Sequence, residues 1–263
     1  MDEIKGRVKL ANRIDRIGEE RINNFGSLMR ITNYRNCNDI DVYFEKYNYT
    51  KEHVEYSKFK KGEIKCPYEA RIYNKGYLGE GKYKVKINGK KTKCYSIWYG
   101  MLKRAYNSKF LQNNPTYIEC EVYSPWLNFQ VFGEWFENNF YKIEGEQISL
   151  DKDILCKGNK TYSPDTCVFV PQRINTLFVK CDKVRGDLPI GVCYDKLNKK
   201  YTAYCNVNGK HKTLGYYKNP VEAFQVYKNF KEEYIKKVAE EYKDKIPQKL
   251  YNAMIQYKIE IND

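Results

Sequence analysis

A chain of 263 residues has room for two or three small domains, and this one carries a formal net charge of +14. Such a charge favours a polyanionic partner, because a basic surface binds phosphate backbones and attracts them over long range. Nucleotide bias in an AT-rich genome, which favours lysine codons, is the alternative source of the basicity. The sequence contains neither about 18 consecutive apolar residues nor the apolar core of a signal peptide. We therefore expect a soluble, cytoplasmic protein with no membrane partner.

Nine cysteines are present, but none of them belongs to a Cys-x-x-Cys pair, and their number is odd. Structural zinc sites and disulfide frameworks normally show paired spacings or an even count. We interpret the cysteines as reduced, mostly buried thiols of a cytoplasmic protein. No motif indicates a small-molecule cofactor.

Residues 1–92 predict a β-rich module. Residues 26–34 and 39–44 alternate apolar and polar side chains, as half-buried strands do. Residues 81–90 alternate lysine with apolar residues before an Asn-Gly turn, which predicts a further strand. One face of that strand is expected to be basic, and it is either a phosphate-contacting surface or an ordinary solvated face. The lysines on it are Lys82, Lys84 and Lys86.

Residues 93–182 predict a helical region followed by a compact ββα unit. Residues 95–142 have helical spacing of apolar side chains, and the aromatic residues between Trp126 and Phe136 form a broad stripe. Such a stripe either packs in a core or offers a platform for base stacking. We favour the core, because the ββα unit is too small to fold without a supporting layer.

The ββα unit spans residues 147–177. A short apolar strand runs into Asp151 and Asp153, a Gly-Asn turn follows, and a second strand leads into a helix start that carries Asn175. This arrangement can bring Asp151 and Asn175 together, although they lie 24 residues apart in the chain. Two oxygen ligands on one small scaffold suit a single hard divalent cation, Mg²⁺ or Mn²⁺.

The same segment resembles the active-site finger of the HNH (His-Me finger) nucleases. In that family an Asp-His pair ends the first strand, and an Asn or His on the next helix completes the metal site. The resemblance implies that Asp151 and Asn175 bind the metal, and that residues 162–167 fall on the segment that carries the family's central Asn. It also makes Lys152, Asp153 and Tyr162 the candidate catalytic residues, with Lys152 in the place of the general-base His.

Lysine is a poor substitute for that base. Its ordinary pKa of about 10.4 leaves it protonated at neutral pH, and the neighbouring carboxylates of Asp151 and Asp153 favour the charged form. Water would have to be activated by a deprotonated Lys152, by Tyr162 if it points inward, or by the cation alone. The run from Trp98 to Trp135 resembles the segment before the finger in phage-encoded HNH-type proteins, which often carry Lys at this position.

Residues 183–263 predict three strands and a helix. The strands fall on residues 188–194, 200–207 and 211–217, with an Asn-Gly hairpin turn between the last two. The helix opens at Asn219 with a capping residue, a proline and an acidic residue in the first turn. The pattern resembles the AP2 DNA-binding domain that accompanies many phage and homing HNH nucleases.

AP2 domains place their sheet in the major groove of double-stranded DNA. Residues 183–218 contain eight Lys or Arg and two Asp, so their charge agrees with that role. Lysines set mainly affinity and salt dependence, while Tyr and Asn side chains can approach base edges. The alternative is a basic fold whose function lies elsewhere. The candidate DNA contacts are Lys196, Lys199, Lys200, Tyr201, Tyr204, Lys210 and Lys212.

The sequence thus predicts an α+β protein with an N-terminal β-rich module, a central ββα finger with supporting helices, and a C-terminal three-stranded sheet plus helix. Two functions fit this organisation. The first is a metal-dependent DNA endonuclease of phage or mobile-element origin, which Asp151 and Asn175 favour. The second is a non-catalytic DNA-binding or virion-associated phage protein with a degenerate finger, which Lys152 favours.

Overall fold

A computed structural model describes residues 15–179 and 186–263 of the chain. Helices and several small sheets are both present, which confirms the α+β class. The described residues form two compact units, one comprising the chain up to Tyr83 with Leu127–Val131 and the other the remainder. The predicted domain boundary between residues 92 and 93 stays a prediction, and the boundary between 182 and 183 lies outside the described residues.

The first unit is built on a four-stranded antiparallel sheet in the order β1-β2-β3-β4. Alternation decides which side of β3 is buried: Ile40, Val42 and Phe44 are fully buried, and the residues between them are partly exposed. The strands predicted at residues 26–34 and 39–44 are confirmed, with shifts of two residues at the first. The elements are β1 (Glu20–Ile22), β2 (Leu28–Asn36), β3 (Asp39–Phe44), β4 (Tyr49–Val54) and α1 (Tyr56–Lys60).

The second unit opens with a short lysine-rich hairpin, β5 (Lys86–Ile87) and β6 (Lys90–Lys91). The prediction of a strand along residues 81–90 is therefore wrong in extent, and its three lysines do not share a strand face. Thr92 explains the early end of the pairing. Its backbone N–H donates to the Val85 carbonyl and its hydroxyl to the Lys84 carbonyl, so these carbonyls are taken by the start of the next helix.

Helix α2 (Lys93–Tyr106) begins at Thr92, whose hydroxyl oxygen accepts the Tyr95 N–H at 3.1 Å. Its apolar face buries Trp98, Met101 and Leu102 completely. The Trp98 indole donates to the Trp126 carbonyl at 2.7 Å, which fixes the loop before the next long helix. The following elements are α3 (Ser108–Asn113), β7 (Glu121–Val122) and α4 (Phe129–Asn139).

The finger predicted at residues 147–177 forms two antiparallel strands and one short helix. In its second strand Val168 and Val170 face one side, and Phe169 faces the other. Phe169 lies 5.1 Å from the Trp135 ring and 5.5 Å from the Phe136 ring, so α4 packs behind the finger, as expected of the aromatic stripe. The antiparallel strands are β8 (Ile148–Asp151) and β10 (Val168–Pro171), and the helix is α5 (Gln172–Asn175). Between the two strands, β9 (Thr161–Tyr162) pairs in parallel with β7.

A three-stranded antiparallel sheet and two helices complete the unit, with strand order β11-β12-β13. Ala203 and Cys205 of the central strand are buried against Ala223 and Phe224 of the long helix. The strand predicted at residues 188–194 begins later than expected. The elements are β11 (Val192–Asp195), β12 (Lys200–Val207), β13 (Lys210–Tyr217), α6 (Pro220–Tyr242) and α7 (Gln248–Gln256).

The second half of α6 packs against the finger. Ile235 and Val238 of this helix share one buried cluster with Ile154, Val170 and Ile174. The finger therefore has apolar support on two sides, α4 behind Phe169 and α6 with α7 on the other side.

Candidate active site and nucleic-acid surface

An open cleft of about 700 Å³ lies at the end of β8. It is lined by Asp151, Lys152 and Asp153 from the end of the strand, and by Asn175 from the end of α5. Helix α5 follows β10 and lies against β8, which returns Asn175 to the side of the strand that carries Asp151. The structure thus brings together four of the five residues that the sequence predicted for the site.

Asp151 is held by the backbone that follows it. Its Oδ1 accepts the N–H groups of Asp153 and Ile154, each at 2.8 Å. Burial raises the pKa of this carboxyl group, although the two amide donors oppose the shift. The Asp151 Oδ2 and the Asn175 side-chain amide make no hydrogen bond with any described residue. Two oxygens in a polar cleft fit a Mg²⁺-type ion, which usually keeps several waters and takes one or two protein ligands.

Lys152 occupies the interior of the cleft wall and is only 6% exposed. Its Nζ donates to Oδ1 of Asp153 and to the backbone carbonyl of Asn159, both at 2.6 Å. Both bonds are donated by the lysine, and the one to Asp153 is a charge-assisted ion pair. Its Nζ is thus engaged as a donor on two sides, and the assignment of Lys152 as a base stays a prediction.

Asn159 is a positioning residue that the sequence analysis did not single out. Its side-chain amide donates to the carbonyls of Lys152 at 2.9 Å and Thr161 at 2.7 Å, and its Oδ1 accepts the Thr161 N–H at 3.1 Å. These bonds close the loop between β8 and β9 and place the Asn159 carbonyl against the Lys152 ammonium. The Gly-Asn turn was the available signal, but nothing in it indicated the long contact back to Lys152.

Tyr162 lies in the protein interior, 2% exposed, and is not among the residues that line the cleft. Its hydroxyl oxygen accepts a hydrogen bond from Arg104 Nε at 2.8 Å. Burial raises the pKa of this phenol above its ordinary value. A buried phenol with a raised pKa is poorly suited to take a proton from water. Asp153 differs, because 53% of its side chain is exposed.

The three-stranded sheet has an inner face, which packs on α6, and an outer face on the opposite side. Ala203 and Cys205 point inward, so their neighbours Tyr204 and Asn206 belong to the outer face. Thr213 pairs with Tyr204 and His211 pairs with Asn206, and paired residues share a face. The His211 ring stacks on Tyr204 at 4.7 Å. The outer face thus presents aromatic, amide and hydroxyl groups.

Lysines lie at the ends of the strands that form this sheet. Lys196 and Lys199 belong to the turn between β11 and β12, Lys200 begins β12, and Lys210 begins β13. All four are exposed, and none makes an ion pair with a residue in the described ranges. The structure therefore separates a polar, uncharged outer face from positively charged turns around it.

Two of the predicted DNA contacts lie on the other side of the sheet. Tyr201 packs against the cluster that contains Ala203, and Lys212 places its ammonium 4.7 Å from the Phe230 ring of α6. The strand register places Lys212 on the inner face, because Lys212 pairs with the inward-facing Cys205. The sequence analysis missed Asn206, His211 and Thr213, which the alternation of β12 and its register with β13 could have revealed.

One further group of potential metal ligands occurs in the first unit, Asp39, Asp41 and His53. Arg35 already spans both carboxylates, with Nε 2.7 Å from Asp39 Oδ2 and Nη1 2.8 Å from Asp41 Oδ2. This guanidinium lowers the pKa of Asp41 to about 2. A metal ion at this point would have to displace a charge-assisted, bidentate ion pair.

No protein-family model, curated protein or solved structure matches the chain. The chemistry of the cleft and the sheet therefore rests on their own geometry. No helix within residues 15–179 and 186–263 combines the length and apolar character needed to cross a membrane.

Proposed function

We propose that this protein is a metal-dependent DNA endonuclease whose cleft resembles the HNH active site, from a phage or mobile element. The observation that carries the proposal is the presence of Asp151 and Asn175 in one cleft, 24 residues apart in sequence, each with a side-chain oxygen that is not bonded to a described residue. The resemblance of the finger to HNH nucleases supports the same reaction class.

In this proposal Asp151 Oδ2 and Asn175 Oδ1 hold one Mg²⁺ or Mn²⁺. When bound, such an ion polarises the scissile phosphate, stabilises the leaving oxygen and acidifies water. Lys152 donates two of its three ammonium protons to Asp153 and Asn159, which leaves one for a phosphate oxygen. Asp153 lines the same cleft with 53% of its side chain exposed, and we assign its Oδ2 the proton of the attacking water.

Double-stranded DNA binds the C-terminal sheet in the same proposal, in the manner of the AP2 domains that it resembles. The lysines in the turns contact phosphates, and Tyr204, Asn206 and Thr213 on the outer face approach base edges. Cations at the border of the face suit phosphate contacts, and polar side chains on the face suit base contacts.

A plasmid-nicking assay with Mg²⁺ and with Mn²⁺ tests the catalytic part. We expect Asp151→Ala to abolish nicking and Lys152→Arg to retain more activity than Lys152→Met, because Lys152 acts as a charge. A rate that rises steeply toward pH 9, together with a gain at pH 7 from Lys152→His, would instead assign the base to Lys152. The matched control is Asp165→Ala, which removes an acid of the same segment that does not line the cleft.

A salt titration of DNA affinity tests the sheet. The slope of log affinity against log salt is expected to correspond to several phosphate contacts, at about 0.9 per contact. Charge reversal of Lys199, Lys200 and Lys210 should weaken binding more than reversal of Lys84, Lys86 and Lys90, which are also exposed. Equal losses from the two sets would remove the sheet as the principal DNA surface.

The second candidate function is a non-catalytic DNA-binding or virion-associated protein. The ion pair between Lys152 and Asp153 favours it, because the position of the family's base is filled by a cation. Duplex binding that depends on the sheet, combined with no nicking by wild type or Lys152→His in either metal at pH 6–9, is the result that would select this function.

A further inference from the structure

A second cavity, of about 710 Å³, lies along the edge of β12 beyond Ala203, where its pairing with β11 stops. Its border consists of Arg173 in α5, Leu177 just after that helix, Gly191, and side chains of α6. Val179 is the one described residue that it shares with the cleft at Asp151. This cavity is therefore separate from the cleft, although Tyr204 and Asn206 on its border also belong to the outer face that we propose contacts DNA.

Lys231 of α6 lines this cavity, and the residue is only 8% exposed. It makes no hydrogen bond or ion pair with any described residue, and the thiol of Cys205 is the titratable group that faces it. Burial lowers the pKa of the ammonium. A charged group in a cavity is normally paired or hydrated, and the Lys231 Nζ is not sealed off from this open cavity. An anionic ligand would supply the missing partner.

The other cation of the cavity is already neutralised. Arg173 donates to Glu241 Oε2 at 2.7 Å, and its side chain lies over the Tyr242 ring at 5.6 Å. Lys231 is thus the only cation among the described lining residues without a counterion. One anionic group of a ligand can therefore be placed at Lys231.

Aromatic and amide groups border the rest of the cavity. Tyr204, Tyr227 and Tyr234 supply rings, and Asn206 and Asn208 supply amides. Gly191 allows one of these rings its position, because a Cβ there would lie 2.1 Å from a ring carbon of Tyr227. A volume of about 710 Å³ is in the range that holds a ligand of nucleotide size.

We propose that the cavity binds a nucleoside monophosphate unit, with its phosphate on Lys231 Nζ and its base among the tyrosine rings. Rings accept a base by stacking and the asparagine amides can pair with its edge. The unit comes either from a free mononucleotide or from a nucleotide of a single-stranded nucleic acid. The site does not depend on the activity of the Asp151 cleft.

Calorimetric titration of the full chain with AMP, adenosine and inorganic phosphate tests the proposal. We expect AMP to bind one site more tightly than either half-ligand, and Lys231→Met to weaken AMP binding at least tenfold. Met keeps the length of the side chain, and removal of an unpaired buried charge should leave the thermal midpoint unchanged or higher. The matched control, Lys243→Met, removes an exposed lysine at the end of the same helix and should bind AMP as wild type does.

A second variant keeps the test independent of Lys231. Asn206→Asp places a negative charge at the exposed border of the cavity and should also weaken AMP binding, with no effect on adenosine. A 12-nucleotide single strand that displaces AMP would assign the site to nucleic acid, and one that leaves AMP bound would assign it to free nucleotides. Undetectable AMP binding by wild type, or equal affinity in wild type and Lys231→Met, would overturn the proposal.

Discussion

Asn159 holds the loop of the finger through three hydrogen bonds, so Asn159→Ala should open that loop. The lost bonds join its side chain to the Lys152 carbonyl and to both backbone groups of Thr161, at 2.7–3.1 Å. A neutral hydrogen bond contributes about 1 kcal/mol net, and each backbone partner left without one adds to the loss. Because the site is partly exposed, we expect the free energy of unfolding of the finger to fall by about 2–4 kcal/mol.

Amide hydrogen exchange across residues 151–162, followed by mass spectrometry, measures this loss locally. Asn159→Asp should be at least as damaging, because a carboxylate cannot donate to the two carbonyls that face it. Asn113→Ala is the control, since its amide makes one exposed bond, to the Lys109 carbonyl at 3.2 Å, and should change stability by less than about 0.5 kcal/mol. Exchange rates in Asn159→Ala equal to those of wild type would refute the positioning role.

Three further changes have defined outcomes. Burial raises the pKa of Asp151, so its ionised form destabilises the fold once the pH exceeds the usual Asp pKa. Asp151→Asn should therefore raise the thermal midpoint at pH 7 without metal, and this gain should shrink toward pH 4. Trp98→Phe should lower the free energy of unfolding in urea by about 2–4 kcal/mol, because it leaves the Trp126 carbonyl unpaired and a void. Burial raises the pKa of Cys167 to about 12, so maleimide should label exposed Cys37 in the native protein and Cys167 only after unfolding.

The parts of the fold that the sequence predicted well are those decided by neighbours in the chain. Strand β3 follows from alternation alone, and its buried residues are the apolar ones. Helix α6 begins where its cap predicted, with the Asn219 side chain accepting the Val221 N–H at 2.8 Å. The hairpin between β12 and β13 follows from an Asn-Gly turn with both residues at positive φ. Each signal involves residues no more than a few positions apart.

The parts that the sequence did not reveal depend on contacts far along the chain. The β5 strand begins only at Lys86, and the Lys84 and Val85 carbonyls before it accept from Thr92 at the start of α2. The side of the sheet on which Lys212 lies is fixed by its pairing with Cys205. Lys231 shows the limit most clearly. On a helical wheel it is one lysine among several in α6, and it is buried only because α5 and β12 pack beside it.

The long helix α6 connects the two surfaces on which the proposed function depends. Ala223 and Phe224 in its first half pack against the inner face of the sheet. Ile235 and Val238 in its second half pack in the core of the finger. A helix of 23 residues is a rod of about 34 Å. Because both pack on one continuous helix, the distance between the outer face of the sheet and the cleft at Asp151 is set by that helix rather than by a flexible linker. A duplex docked on the sheet would therefore meet the cleft at a fixed offset, which predicts cleavage at a defined distance from the bound sequence.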